Sequence, residues 1–307
     1  MRDYFLHRFD KNNFKIVMTI LVKNEDDIIE ANIRTHASLG VDAFVVMDND
    51  SSDETPAILK RLQEEFEIVV IEEKGLYNQA KWMKRLAVEA KKLGADWVIN
   101  NDADEFWIPK VGKTLHEVLA FKGSVLTVNR YNMVLDPVAT EQGALASIYK
   151  VQTPICYTKS SSLNARDISM VLTGIGPKTI VNPHGLIEIR GGNHKAWHIA
   201  NTYEYLFKKR DKIAKFEDIE VYHYPFRSYA QFEKNIKNRK ALLENKKHIR
   251  MGAHYRRWVA IYNEGKLKEE YDRLCFSQNE LDILQKYGVI VKEEMPSSII
   301  RAALTRR

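Results

Sequence analysis

Ile16-Val17-Met18-Thr19-Ile20-Leu21-Val22, followed by Lys23-Asn24-Glu25, decides the fold class. The run is apolar at every position but Thr19 and shows no alternation. A strand buried on both faces reads this way, and such strands belong to parallel sheets covered by helices. The same kind of run returns at Phe44–Met47, Ile68–Ile71 and Trp97–Asn100. The stretches between are helical. Asn24 is expected to cap the first, with Glu25, Asp26 and Asp27 in its opening turn and Gly40 past its end. Ser52 is expected to cap the second, with Pro56 in its first turn and Ile58, Leu59, Leu62 and Phe66 on its apolar face. A third helix is expected over 77–93, closed by Gly94. Strands alternating with helices of this length imply right-handed crossovers and an α/β sheet that is mostly parallel.

Beyond Asp104 the pattern loosens. Short strands are expected at 125–130, 148–151 and 179–181. From Ser228 the chain turns helical: Ser228-x-x-Gln231 has the form of a capping box, and Tyr229, Phe232, Ile236 and Leu243 recur at helical spacing. Two parts are expected, 1–225 as the α/β domain and 226–307 as a mainly helical region. Charge divides the same way. The 307 residues net +6, but residues 226–307 carry 18 Lys/Arg against 10 Asp/Glu, so residues 1–225 net −2. A basic terminal region suits nucleic acid, an anionic membrane surface or plain solvent.

Composition removes several classes. With 45% hydrophobic residues, 14 Gly and 8 Pro, the chain is neither disordered nor collagenous. No apolar run approaches the ~20 residues of a spanning helix. Residues 1–15 lack the apolar core of a secretory signal. Cys156 and Cys275 suit neither a metal knuckle nor a disulfide framework. The expectation is a cytoplasmic protein, at most peripheral at the inner membrane face.

Open parallel sheets bind ligands outside the carboxyl ends of their strands. Those positions here read Lys23-Asn24-Glu25, then Asp48-Asn49-Asp50-Ser51-Ser52-Asp53, then Asn101-Asp102-Ala103-Asp104-Glu105. Asp26 and Asp53 fit ordinary helix caps. Asp102 and Asp104 stand at i and i+2, which in extended chain points both carboxylates to one side. Like charges so close call for a cation, and a hard divalent ion, Mg²⁺ or Mn²⁺, suits oxygen ligands. No glycine-rich dinucleotide fingerprint, no P-loop and no Gly-x-Ser-x-Gly elbow is present. Phosphates would therefore be met by metal and side chains, with Lys178, Lys195 and Arg227 as candidates.

In this order and at these strand ends, the motifs resemble those of the family 2 glycosyltransferases of GT-A fold. The likeness is carried by Val17–Glu25, by Val46–Thr55 and by Asn101-Asp102-Ala103-Asp104-Glu105-Phe106, which looks like the family's Asp-x-Asp motif. It covers roughly residues 15–110. Lys178–Pro183, Gly192-Asn193-His194 and His223-Tyr224-Pro225-x-Arg227-Ser228 resemble a subgroup that begins with Lys-Asn-Glu. The resemblance implies a Rossmann-like GT-A domain over 1–225 that binds a nucleotide sugar, with a helical extension over 226–307. It implies inverting transfer from a nucleoside-diphosphate sugar, UDP favoured, to a saccharide or lipid-linked acceptor in surface polysaccharide or glycoconjugate synthesis. Lys23, Asn24, Glu25, Asp48, Asp50, Asp102, Lys178 and Arg227 would meet the donor. Asp102 and Asp104, with His223 or His194, would hold Mn²⁺ or Mg²⁺.

Inversion needs a general base; Asp136, Glu141, Asp167 and Glu105 all remain open. Aromatics such as Trp197, Tyr203, Tyr205, Tyr222, Tyr224 and Phe226 suit a core better than a sugar platform. Two other readings compete. Val45–Ser51 resembles the motif of haloacid-dehalogenase phosphatases, with Asp48 as nucleophile and Asp50 as acid/base, although it stands on the second strand. Lys246-Lys247, Arg256-Arg257 and Arg306-Arg307 suit nucleic-acid phosphates, but acidic strand ends would repel that ligand, and no nucleic acid is expected. The segment Ile299–Arg307 instead suits an anionic lipid surface.

Overall fold

The structure is a computed structural model describing residues 2–74, 79–110, 112–155, 169–200, 215–245 and 252–305. Cys156, Asp167, Tyr203, Tyr205, Lys246, Lys247, Arg306 and Arg307 lie outside these described residues. In chain order the elements are α1 (Arg2–Leu6), β1 (Ile16–Val22), α2 (Ile29–Ser38), β2 (Ala43–Asp48), α3 (Thr55–Leu62), β3 (Ile68–Glu72), α4 (Gln79–Lys92), β4 (Trp97–Asp102) and β5 (Glu105–Pro109). There follow α5 (Leu115–Val118), β6 (Val125–Val128), β7 (Arg130–Asn132), α6 (Pro137–Gln142), β8 (Tyr149–Val151), β9 (Lys178–Val181), β10 (Leu186–Ile189), β11 (Ala196–His198) and β12 (Ile219–His223). The last are α7 (Tyr229–Asn245), α8 (Ala253–Asn263), α9 (Leu267–Asp272), α10 (Gln278–Lys286), β13 (Ile290–Lys292) and α11 (Met295–Thr305).

Two compact units emerge. The first comprises 1–130, 176–222 and 299–307; the second comprises 131–175 and 223–298. One division between them falls between Tyr222 and His223. Residues 131–175 join the helical part, and the end of α11 joins the first unit.

The first unit is built on a six-stranded sheet of order β3-β2-β1-β4-β9-β6. β3, β2, β1 and β4 run parallel, as the buried apolar runs demand. β9 is antiparallel to both β4 and β6. Val22 pairs with Asp48 and Leu21 with Asp102, so β1, β2 and β4 finish level. Ile16, Val17, Met18, Ile20, Val45, Val46 and Ile99 are wholly buried, each contributing roughly 1.5–3 kcal/mol by leaving water. On one face, Trp82, Met83, Leu86, Ala87 and Ala90 of α4 pack against Val17, Val45 and Val98.

Two helix starts differ from expectation. α2 begins at Ile29 and has no side-chain cap. Asn24 lies apart from it in the left-handed region (φ 58°), and its side chain faces the neighbouring loop. α3 begins at Thr55, again without a cap from Ser52; Asp53 Oδ1 accepts from Thr55 N at 3.0 Å instead. In both places the residue that resembled a cap is used to join strand-end loops. Gly40 (φ 101°) does close α2, where a side chain would be strained.

The second unit is mainly helical. Phe226, Phe232 and Trp258 pack edge to face in a core shared with Leu281 and Ile290. β13 pairs antiparallel with β8. Ser228 Oγ accepts from Gln231 N at 3.1 Å, as its motif suggested. Among the described residues no helix is long and apolar enough to cross a membrane.

Candidate active site

The level ends of β1 and β2 are sewn together by short-range bonds. Lys23 Nζ donates to the carbonyls of Asn49 (2.7 Å) and Asp50 (3.1 Å). Asn24 Oδ1 accepts from Ser52 N at 2.7 Å, and Asn24 N donates to Ser51 Oγ at 2.8 Å. Asp48 is buried, and its Oδ1 accepts from Ser51 Oγ (2.5 Å) and Ser51 N (3.1 Å). Glu25 N donates to Thr55 Oγ1 at 2.9 Å. Asp50 has positive φ (57°) and an exposed side chain. Lys23 and Asn24 thus shape the loop that presents Asp48 and Asp50.

The end of β4 is built differently. The strand stops at Asp102, Ala103 and Asp104 form a turn, and β5 starts at Glu105. The extended arrangement expected for Asp102 and Asp104 is therefore absent, because the chain leaves the strand in a turn at Ala103 and Asp104. Glu105 is fully buried, and its Oε1 meets Arg130 Nη1 at 2.5 Å and Lys178 Nζ at 3.1 Å. Lys178 also bonds Asp102 Oδ2. Burial raises the Asp102 carboxyl above its ordinary value; Lys178 opposes that, and the charges of Glu105 and Asp104 add to it. Burial works against the charge on Lys178, but Asp102 and Glu105 outweigh it and hold its pKa above the usual lysine value. Lys178 was expected to meet a donor phosphate. It is instead a buried counter-charge (0% exposed), so its ammonium is spent inside the fold.

Asn32 of α2 holds the turn from beneath. Its Nδ2 donates to the carbonyls of Ala103 and Glu105, each at 2.8 Å, on either side of Asp104. Asn101 Nδ2 donates to Asn32 Oδ1 at 3.0 Å, and Trp107 Nε1 donates to Asn101 Oδ1 at 2.9 Å. His36 Nε2 accepts from Trp107 N at 2.9 Å, so its Nδ1 carries the proton, 2.8 Å from Asn32 O. Burial pushes His36 down to about 3, keeping it neutral. None of Asn32, His36 or Arg130 was singled out in the sequence. Asn32 and His36 sit at i and i+4 on an otherwise apolar helix face, which is the signal they left.

Asp104 and Glu105 each offer a carboxylate oxygen within 4.8 Å of the other, a hard-oxygen pair that fits Mg²⁺ or Mn²⁺. His194 lies against Pro177, whose carbonyl accepts from its Nδ1 at 2.7 Å. Its pKa is lowered by burial, with Lys178 and Arg130 adding to the shift. In the second unit His223 ends β12, and its Nδ1 is 2.7 Å from Asn132 Oδ1. Arg227 is half-buried there.

Asp136 is the N-cap of α6. Its Oδ1 accepts from Ala139 N (2.7 Å) and its Oδ2 from Ile148 N (2.9 Å). Both oxygens thus serve the backbone. Glu105 serves two cations. Neither arrangement leaves a carboxylate poised to take a proton from an acceptor.

No family model and no curated protein matches the chain. Solved structures with some likeness include Staphylococcus aureus TarS 1-349 with UDP-GlcNAc (14% identity over 85% of this chain and 72% of that one, TM-score 0.41). The same fragment with UDP is 15% identical over 55% of this chain, at a TM-score of 0.35, and the match spans about half its length (47%). Mycobacterium tuberculosis glucosyl-3-phosphoglycerate synthase with phosphoglyceric acid is 18% identical over 40% of this chain and 45% of that one, at 0.29. Scores below 0.5 give these likenesses no force for fold or function.

Proposed function

We propose that the chain is a divalent-metal-dependent, inverting glycosyltransferase of family 2 type. It moves a sugar from a nucleoside diphosphate, UDP favoured, to a saccharide or lipid-linked acceptor in surface polysaccharide or glycoconjugate synthesis. The observation that carries the reading is the carboxyl edge of the sheet. There Asp48 and Asp50 stand on one stitched loop and Asp102, Asp104 and Glu105 on a braced turn, beside a fold with no glycine cradle for phosphate.

Asp48, Asp50 and the Lys23–Glu25 segment face the base and ribose of the donor in this reading. Asp104, with Asp102 or Glu105 beside it, supplies oxygen ligands for Mn²⁺ or Mg²⁺. A bound divalent ion offsets the charge that develops on the departing diphosphate. The chain's own task is to hold that turn rigid before the donor arrives, which Asn32 does through two backbone carbonyls.

The test is a thermal-shift panel of nucleoside diphosphates and sugar nucleotides, with and without Mn²⁺. One nucleotide should stabilise only with metal, by about 2.7 kcal/mol at a hundred times its Kd. If no nucleotide shifts the midpoint while an aryl phosphate is hydrolysed with Mg²⁺, the phosphatase reading of Asp48 and Asp50 replaces this one.

A further inference from the structure

Residues 2–9 lie against the amino end of β4, away from the strand-end acids. His7, just past α1, donates from Nε2 to Asp96 Oδ1 at 2.7 Å, and Asp96 directly precedes β4. The other carboxylate oxygen accepts from Lys15 N at 2.8 Å. The His7 ring stacks on His184, with centroids 3.6 Å apart and planes 9° from parallel.

The charged and titratable groups around this pair come from several segments. Asp3 of α1 meets His184 Nδ1 at 3.4 Å, and Lys91 of α4 pairs with Asp3. Lys122 Nζ donates to the carbonyls of Tyr4 (3.1 Å) and His7 (2.7 Å). His198 of β11 meets Tyr4 edge to face. It donates from Nε2 to His184 O at 2.7 Å and accepts at Nδ1 from Ala200 N at 3.1 Å, so its ring is neutral. One proton added to the stacked pair has Asp96 to answer it. A second meets only Asp3, across a long bond that Lys91 already shares, and sets two like charges face to face.

We propose that residues 2–9 form an acid-sensitive clasp, held across the amino end of β4 by the His7–His184 stack and let go when both rings carry a proton. Burial lowers the His184 pKa below its ordinary value; the charge of His7 adds to this, and Asp3 opposes it. Once the segment leaves, His184 can take a proton near the ordinary histidine value of about 6.5. The docked chain refuses that proton. The contribution of His184 to docking is therefore whole above pH 6.5 and falls as pH drops below it.

Millisecond hydrogen exchange on the full chain reads the clasp, with rates in the peptide covering 2–9 corrected for intrinsic pH dependence. Protection there should fall by about 3–30-fold from pH 7 to pH 5, at up to about tenfold per unit, while β1 to β3 keep theirs. A smaller fall, a rise, or an equal loss in β1 to β3 overturns the proposal. His184→Phe keeps a flat ring that cannot charge, so its protection over 2–9 should change by less than about threefold across the same range. A larger fall in that variant overturns the proposal as well. Nitrogen-15 histidine spectra of the wild-type chain need no variant to fold. The His184 ring should titrate below about 6.5, and a midpoint at or above that value also overturns the clasp.

Discussion

The acids at the ends of β2 and β4 look alike in sequence but are held by opposite means. Asp48 is served by a serine three residues away, through a hydroxyl and an amide. The Lys23 ammonium in that loop is bonded to the carbonyls of Asn49 and Asp50, and Asp50 reaches solvent. At β4 the partners are ions from far along the chain: Lys178 lies 76 residues from Asp102, and Arg130 lies 25 from Glu105. A loop stitched by single hydrogen bonds to hydroxyls, amides and carbonyls can lose one bond and relax. A buried ion cluster cannot lose one charge without stranding another. The β2 loop is therefore the adjustable side of the site and the β4 turn the rigid side.

The largest expected effect is on the rigid side. Asp104→Ala should cut transfer by about 10²–10³-fold or more, the scale of losing one group that stabilises a transition-state charge. It should also abolish metal-dependent donor binding while leaving the melting curve in place. Wild-type transfer rates in limiting Mn²⁺ would remove Asp104 from the site. Glu105→Gln should cost about 3–5 kcal/mol of stability, because Lys178 and Arg130 lose their shared carboxylate inside the fold. Denaturant unfolding measures this, and a loss below 1 kcal/mol would erase the contrast with Asp48.

A third expectation concerns pH. His36 beneath the turn has its pKa depressed to about 3 in the folded protein, against about 6.5 when unfolded. The unfolded chain thus binds a proton that the folded one refuses. Stability from this group is whole above pH 6.5 and falls as pH drops from 6.5 toward 3, by up to about 1.4 kcal/mol per unit. Denaturant midpoints followed over that window should show the slope, and His36→Gln should flatten it. The smallest effect belongs to the adjustable side. Ser51→Ala should cost about 0.5–1.5 kcal/mol, the worth of one ordinary hydrogen bond, and should loosen nucleotide binding more than metal binding in paired calorimetric titrations.

Much of the first unit was readable because buried parallel strands declare themselves as apolar runs. Ile16–Val22 and the three runs after it became β1 to β4 nearly to the residue, and the acids at their ends did come to one edge. What failed were the roles of short polar residues. Asn24 and Ser52 suit a helix cap in composition, but their bonds go across to each other, between segments 28 residues apart. Lys178 read as a phosphate contact because nothing local marks a lysine as buried; only the antiparallel pairing of β9 with β4 brings it under Asp102. Asp136 read as a base candidate, and its own helix start, Asp136-Pro137, was the overlooked sign of a cap.

The first unit is drawn from three separate stretches of chain, and the second unit takes the two stretches between them. No single cut can therefore release it. A fragment ending at Arg130 would contain every strand-end acid of the site, yet would lack the lysine that makes burial of Asp102 and Glu105 tolerable. Cleavage between the segments should instead give pieces that regain the site only when mixed. Split-protein complementation, rather than truncation, is the route this architecture leaves for dissecting the molecule.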